Sequence, residues 1–331
     1  MNDHPFARFI RPLGRGKRAR RDLDREEARQ AFAMILAGEV GAEQLGAFLM
    51  LLRVKEETAE EVAGMTEAAR ERLSASPPPP TGAIDWPSYA GKRRRAPWFV
   101  LAQCLLAANG HAVLCHGRDG GDPERVYTQA VYRALGLPVA ETLEGAVSAL
   151  HEQGLCYLDL AALDPALDRL FTLRPLLGLR SPVNTIARML NPLRLPSLQG
   201  IFHPGFAAIH QQAAALLGDR LIVFRGEGGE GEIRPDSETT LFAHRQGLEE
   251  ITWPPLLTRR LPRPAQWQIR VLRDLWRGEA EDPYGEAAVL STAAVALCAL
   301  DDTLDHSGAL EQAHRWWQQR DREHFSASFE Q

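Results

Sequence analysis

The sequence predicts two domains, a small helical domain at the N-terminus and a larger α/β domain after it. Three observations indicate this: helix start signals near the N-terminus, a run of consecutive prolines, and short apolar strands that alternate with helices beyond the prolines. The chain has 331 residues, of which 45% are hydrophobic and 24% charged, so it can bury a sizeable core. At ~150 residues per domain, this length is typical of two domains.

The first 75 residues carry the start signals of helices. Asp24 and Glu27 stand three residues apart just before an apolar stripe, which is the spacing of a capping box. Thr58 and Glu61 repeat this spacing, and another apolar stripe lies between the two pairs. We therefore expect a helical domain over residues 1–75.

Four consecutive prolines mark the domain boundary. Such a tract forms a stiff extended segment, so we expect a linker over residues 76–80. We assign residues 81–163 and 193–331 to the α/β domain, and we expect helices from about 164–192 to rejoin the N-terminal ones. Short apolar runs are typical of strands buried in a mainly parallel sheet. The strand candidates are His111–Cys115, Cys156–Leu160, Gly200–His203 and Leu221–Phe224.

Positive charge is concentrated in three stretches, although the net charge is −5. The first 21 residues carry +6 and the other 310 carry −11. The net negative charge excludes a nucleic-acid-coating protein that is basic over its whole surface. Clustered basic residues can still produce a positive field on one face. The candidate phosphate contacts are Arg15, Lys17, Arg18, Arg20 and Arg21 in the first stretch, Lys92, Arg93, Arg94 and Arg95 in the second, and Arg169, Arg174, Arg180 and Arg188 in the third.

The second basic stretch has two interpretations. A run such as Lys92–Arg95 is commonly a solvated turn. It can also contact a phosphate backbone, with Trp86, Tyr89 and Trp98 offering stacking surfaces for bases. Both interpretations stay open at this point.

A glycine-rich acidic segment, residues 226–232, follows the last strand candidate. Ligands of open α/β sheets bind beyond the carboxyl ends of strands, so the position suits a site. Its carboxylates could hold Mg²⁺, or the segment could be a flexible acidic surface loop. No Walker A, G-x-G-x-x-G, G-x-S-x-G or H-E-x-x-H motif is present, so ATPase, dehydrogenase, serine hydrolase and zinc protease classes gain no support.

Cysteine usage and hydropathy predict a cytoplasmic protein without membrane contact. The four cysteines form no C-x-x-C pair, which is typical of reduced core residues. The apolar run Ala287–Leu300 has 14 residues, short of the ~20 that a membrane helix needs. The basic N-terminus lacks the apolar segment of a secretory signal.

Two long segments resemble anthranilate phosphoribosyltransferases. Residues 22–70 are similar to the opening of those enzymes, with its signature G-E-V…Q-x-x-A-F-L-M-x-L-R-x-K-x-E-T-x-E-E. The segment from Asp164 to Pro192 is similar to their H-P-A…R…G-x-R-T-x-F-N…N-P segment. The resemblance implies the nucleoside phosphorylase/phosphoribosyltransferase fold of glycosyltransferase family 3. It also implies a homodimer that forms through the small helical domain.

The chain departs from these enzymes where they bind the donor. Their pyrophosphate loop G-T-G-G-D corresponds to residues 87–95, which carry bulky side chains. Their metal motif D-G-L-D-E corresponds to residues 228–232, and their K-H-G-N-R to residues 115–119. We therefore name no catalytic residue and no metal ligand. The vestigial substrate site that the resemblance implies consists of His116, Gly117, Arg174, Asn184 and Glu232.

With these departures the chain resembles the YbiB-type branch, a second TrpD-like family. Members of that branch also open with G-R-G-K and R-D-L-D stretches, which lie here at residues 14–17 and 21–24. That resemblance implies sequence-independent nucleic-acid binding, to DNA for example, by a homodimer with no cofactor and a degenerate transferase site. The alternative is a pentosyltransferase that acts on an aromatic or nucleobase-like acceptor, with Mg²⁺ and with His116, Arg174 and Glu232 around a phosphoribosyl donor. A dimeric scaffold for a protein partner is a third interpretation.

Overall fold

Two of the N-terminal helices begin at the capping boxes that the sequence predicts, whereas the helix Ala7–Gly14 was not predicted. The computed structural model describes residues 3–16, 18–262 and 267–323. Asp24 with Glu27 and Thr58 with Glu61 form the two capping boxes, and a cap of this kind contributes ~1 kcal/mol. The helices of this region are α1 (Ala7–Gly14), α2 (Arg25–Leu36), α3 (Ala42–Lys55) and α4 (Ala59–Arg70).

Strands and helices alternate after the prolines, so the α/β fold class is confirmed. The four strand candidates correspond to the second, fourth, fifth and sixth strands below, whereas the other strands were not predicted. In chain order the elements are β1 (Ile84–Ser88), α5 (Phe99–Ala108), β2 (Val113–Gly117), α6 (Thr128–Ala134), β3 (Val139–Ala140), α7 (Leu143–Gln153), β4 (Leu155–Asp159), α8 (Leu160–Leu163), α9 (Pro165–Phe171), α10 (Arg174–Leu177), α11 (Val183–Met189), β5 (Ser197–Ile201), α12 (Ala207–Leu217), β6 (Leu221–Arg225), β7 (Thr239–His244), β8 (Leu248–Trp253), α13 (Arg270–Arg277), α14 (Pro283–Leu300) and α15 (His306–Gln319).

The strands form one sheet in the order β3-β4-β2-β1-β5-β6-β7-β8. The pairs from β3 to β6 are parallel, whereas β7 and β8 are antiparallel additions at one edge. From β1 the chain builds outward through β2 on one side and later through β5 on the other. This reversal is a topological switch point, and it opens a crevice at the carboxyl ends of β1 and β5.

The helices α8–α11, which connect β4 to β5, leave the sheet and pack against the N-terminal helices. Leu167 and Ile186 share one buried core with Phe32 and Phe48. A separate core lies between the sheet and the helices α5 and α14. The helices α8–α11 therefore form a wall beside the switch point, and this wall carries the third basic stretch.

Helix α14 is longer than the 14-residue apolar run predicts, because Asp282 caps it and Pro283 occupies its first turn. With 18 residues it is long and apolar enough to cross a membrane, but 83% of it is buried inside the protein. Among the described residues no other helix passes this test. Its packing against α5 and α15 is typical of a core helix. All four cysteines are buried and free of disulfides, as predicted.

Candidate anion-binding cleft

Two adjoining cavities lie at the switch point, and Arg180, Ser181 and Asn184 line both of them. We call them together the cleft. The first cavity is also lined by Arg53, Glu57, Arg188, Phe202, His203 and Phe206, among others. The second is also lined by Tyr89, Arg118, Arg125, Tyr127, Phe171 and Arg174, among others.

Arginines outnumber carboxylates along the cleft, which Glu57 also lines. Within the described ranges, Arg174, Arg180 and Arg188 have no carboxylate within ion-pair distance, and Arg188 donates instead to two backbone carbonyls. Burial lowers the pKa of Arg180, and the nearby charges of Arg174 and Arg125 lower it further. Burial also lowers the pKa of Arg188. Guanidinium groups held this close together favour an anionic ligand.

Three further arginines of the cleft were missed by sequence reasoning: Arg53, Arg118 and Arg125. Arg118 pairs with Asp168, and Arg125 Nε lies 3.3 Å from a carboxylate oxygen of Asp122. Arg118 lies directly after the strand β2 and Arg125 in the loop that follows, so the position beyond a strand's carboxyl end was a usable signal. No local pattern marks Arg53, near the end of α3, because it reaches the cleft through the packing of two domains.

Aromatic side chains accompany the arginines. The Tyr89 ring stacks on Phe171 with centroids 5.9 Å apart and planes at 13°, while Phe202 is 48% exposed at the other cavity. Trp86 and Trp98, which the sequence offered as stacking surfaces, are buried in the core. That part of the prediction is wrong, because these rings are used in packing the α/β domain.

The second basic stretch lies apart from the cleft. Lys92 and Arg95 are buried, and the Arg95 guanidinium carbon lies 3.5 Å from the ring centroid of Tyr284. The prediction that Lys92 and Arg95 contact phosphates is wrong, because both charges are enclosed inside the domain. Arg93 and Arg94 are exposed, and Arg93 pairs with a surface glutamate.

The described basic residues of the first stretch, and Arg169 of the third, are exposed, and none of them lines the cleft. Lys17 lies outside the described residues. Arg21 is engaged with both carboxylate oxygens of Glu27 at 2.6 and 2.7 Å. The other exposed arginines among the predicted phosphate contacts of these two stretches are Arg15, Arg18, Arg20 and Arg169.

The vestigial substrate residues separate into two groups. Arg174 and Asn184 line the cleft. His116 and Glu232 are fully buried, and Gly117 is a packing position, because a Cβ there would lie 2.0 Å from a backbone oxygen of β1. The three buried residues therefore support the cleft from behind, and direct ligand contact through them is excluded in this conformation.

His116 holds Tyr89 in place. The Tyr89 hydroxyl lies 2.9 Å from His116 Nδ1, and His116 Nε2 lies 3.2 Å from Asp85 Oδ1. The other oxygen of Asp85 accepts a hydrogen bond from Ser197 Oγ at 2.7 Å. Burial raises the pKa of Tyr89, so its hydroxyl stays protonated. This buried row links β1, β2 and β5 directly beneath the cleft.

The glycine-rich segment, residues 226–232, is mostly buried and folds back on β1. Glu230 accepts hydrogen bonds from the backbone N–H groups of Ala90 and Gly91 and from Ser88 Oγ, at 2.7 Å for Ala90 and Ser88. Neither interpretation offered for this segment is correct. It is not a surface loop, and its carboxylates are committed to contacts within the protein.

Lys92 lies beside this segment. Its Nζ is 2.7 Å from Glu232 Oε1, and Glu232 Oε2 accepts a hydrogen bond from the Phe99 N–H at 3.0 Å. Burial raises the pKa of Glu232, and the charge of Lys92 opposes that rise. The pair is a closed ion pair inside the domain.

The fold is that of the anthranilate phosphoribosyltransferases, as comparisons with known proteins show. Residues 8–73 match the helical bundle domain of a glycosyl transferase family. The chain is 32% identical over 240 residues to the uncharacterized protein YbiB of Escherichia coli K12, covering 70% of this chain and 73% of that one. It is 32% identical over 289 residues to anthranilate phosphoribosyltransferase of Methylobacterium nodulans, covering 84% and 85%. The structure of anthranilate phosphoribosyltransferase (TrpD) from Thermus thermophilus superposes with a TM-score of 0.81 over 99% of this chain and 98% of that one, at 23% identity.

The chain therefore belongs to the TrpD-like glycosyltransferase family 3. The anthranilate phosphoribosyltransferase of Saccharomyces cerevisiae has been solved in complex with PRPP and Mg, so the fit of the corresponding residues of this chain to magnesium can be tested. Over the described ranges, no three His, Cys, Asp or Glu residues are grouped to hold a metal. The ammonium of Lys92 contacts Glu232 instead, so this site does not fit the metal.

Proposed function

We propose that the cleft binds the phosphate backbone of nucleic acid with little dependence on base sequence. The observation that carries this proposal is the group of Arg174, Arg180 and Arg188, none of which has a carboxylate partner among the described residues. Arginine favours phosphate because its planar guanidinium can donate two parallel hydrogen bonds. Binding then gains mainly from the release of counterions.

Aromatic rings beside the arginines support single-stranded nucleic acid as the ligand. Phe202 is half exposed at the first cavity, and its ring lies 5.0 Å from that of His203. Bases that are not paired can stack on such rings whatever their sequence. Exposed arginines elsewhere, such as Arg94, would extend the contact electrostatically.

We also propose that two copies of the chain associate through the helical domain. Leu176 is 82% exposed, Leu179 52% and Val54 77%. The helix α10 lies beside α3, since a Cβ on Gly46 would be 3.8 Å from Leu177 Cδ2. Large apolar side chains exposed on neighbouring helices suit an interface. Two clefts in one dimer would lengthen the basic surface.

The test is a titration of a fluorescent single-stranded oligonucleotide, followed by anisotropy at low and near-physiological salt. We expect tight binding at low salt that weakens steeply as salt rises, with a slope of about 0.7 per neutralised phosphate in a log–log plot. An absence of binding at low salt would contradict the proposal. Oligonucleotides of different base composition should bind with similar affinity.

A second candidate is a pentosyltransferase with an unidentified aromatic or nucleobase-like acceptor. The comparisons favour it more directly than nucleic-acid binding, because the Methylobacterium nodulans relative is an anthranilate phosphoribosyltransferase. Arg174 and Asn184, which the resemblance places in the substrate site, do line the cleft. The contacts of Glu230 and Lys92 oppose it, since these residues lie in the two segments, 228–232 and 87–95, that correspond to the donor-binding motifs of the enzymes. A magnesium-dependent thermal shift with phosphoribosyl pyrophosphate would support this candidate.

A further inference from the structure

The turn after β1 presents donors that converge on a single carboxylate. The backbone N–H groups of Ala90 and Gly91 and the hydroxyl of Ser88 all donate to Glu230. The Ser88 hydroxyl is also 2.6 Å from Thr128 Oγ1, which fixes its orientation. Successive backbone N–H groups with a hydroxyl form the kind of concave site that binds phosphate and other oxyanions.

Glu230 is held in this turn by its own backbone as well as by its side chain. A Cβ on Gly226 would lie 1.7 Å from the carbonyl oxygen of Glu230, and one on Gly200 would lie 2.0 Å from it. Only glycine permits this approach. The glycines therefore press the segment against β5 and deliver the Glu230 carboxylate to the donors, where it is 1% exposed.

A positive charge completes the arrangement. Lys92 Nζ lies 2.7 Å from Glu232, and the two side chains are 3% and 0% exposed. By the resemblance, Glu232 corresponds to the final Glu of the family's metal motif D-G-L-D-E, whose two aspartates this chain lacks. Mg²⁺ demands several oxygen ligands and retains waters, whereas the buried ammonium satisfies Glu232 without either.

We propose that residues 88–91 form an oxyanion site that the chain fills with its own Glu230 carboxylate, while Lys92 replaces a divalent cation on Glu232. In this arrangement an internal ion pair and an internal carboxylate stand where a magnesium–diphosphate group would otherwise bind. The free ligand that fits the emptied turn is a phosphate-class anion. This inference rests on the turn after β1 and does not depend on Arg174 and Arg180, which line the cleft.

The test removes the internal carboxylate and measures binding of inorganic pyrophosphate by titration calorimetry, with and without Mg²⁺. Glu230→Ala frees two backbone N–H groups and a hydroxyl beside Arg188, so pyrophosphate affinity should rise at least about tenfold above wild type. The gain should not require Mg²⁺, because Lys92 still neutralises Glu232. The wild-type chain should show no magnesium-dependent binding.

Glu250→Ala is the matched control, because it removes one carboxylate of the same type from an exposed position on β8. Glu230→Ser serves where Glu230→Ala does not fold, because its side chain is also too short to reach the N–H groups of Ala90 and Gly91; its affinity should also exceed that of the wild type. Two outcomes overturn the proposal: a folded Glu230 variant that binds no better than Glu250→Ala, or wild-type binding that depends on Mg²⁺. Oligonucleotide titrations of the same variants separate a failure here from a failure of nucleic-acid binding.

Discussion

Arg174 and Arg180 in the cleft have no carboxylate partner among the described residues, whereas Lys92, just behind it, is 2.7 Å from Glu232. The cleft and the turn that carries Lys92 both lie at the switch point of the sheet. In the sequence, both appear as stretches rich in basic residues. They differ in whether a carboxylate partner is present, since burial also desolvates Arg180. A charge enclosed with a partner stabilises the domain, and a charge left at a cleft is available to a ligand.

The largest effect should come from breaking the enclosed pair. Lys92→Ala leaves the Glu232 carboxylate buried without its counterion, which should lower the free energy of unfolding by about 3–5 kcal/mol. Replacing both residues, as in Lys92→Met with Glu232→Leu, should restore most of the loss. Urea denaturation measures both. A loss below ~1 kcal/mol in the single variant would show that this pair does not stabilise the domain.

Glu57, which lines the cleft at the first cavity, makes stability depend on pH. Burial raises its pKa to about 7, above the ~4.3 of an unfolded chain. The folded state therefore retains a proton that the unfolded state has lost, so its contribution to stability falls between about pH 4.5 and 7, by roughly 3 kcal/mol. Glu57→Gln should flatten this part of the pH profile, measured by urea denaturation at pH 5 and pH 8. An identical profile in the variant would contradict the assignment.

The arginines of the cleft should govern ligand affinity while leaving stability intact. Arg174→Ala with Arg180→Ala should weaken single-stranded oligonucleotide binding about 10–100-fold at low salt and reduce the salt slope by about 1.4. The matched control, Arg259→Ala with Arg315→Ala, removes the same charge from exposed positions away from the cleft. Equal losses in the two double variants would indicate a general charge effect and not a site.

The smallest effect should come from the surface pair of Arg93 and Glu124, which are both about half exposed or more. Arg93→Ala should change the free energy of unfolding by less than ~1 kcal/mol, because water screens an exposed pair. Its effect on oligonucleotide affinity should stay below that of the double variant in the cleft. Thermal unfolding and anisotropy check the two statements, and a destabilisation comparable to that of Lys92→Ala would remove the contrast between enclosed and exposed charges.

Local signals in the sequence predict part of this structure well. The capping boxes at Asp24 and Thr58 were found because their atoms lie within three residues of each other. The strand β1 was not among the candidates, because Pro87 inside it argues against a central strand. The β7–β8 hairpin was also missed, although burial alternates along β7.

Long-range contacts explain why the site was predicted less well than the fold. Lys92 and Glu232 are 140 positions apart, so nothing near Lys92 shows that its charge is enclosed. A run of basic residues is typical of a surface, and the sequence pattern cannot distinguish Lys92 from Arg94. Arg174 and Asn184 were identified through the resemblance, because the similar segment from Asp164 to Pro192 contains both residues and forms the wall of the cleft.

The return of α8–α11 to the N-terminal helices has a consequence for synthesis. Phe32 and Phe48 share their core with Leu167 and Ile186, which the ribosome adds more than a hundred residues later. At about 5–20 residues per second, the first four helices wait several seconds with an apolar face uncovered. The helical bundle matched over residues 8–73 therefore lacks part of its core until residue 190 has emerged.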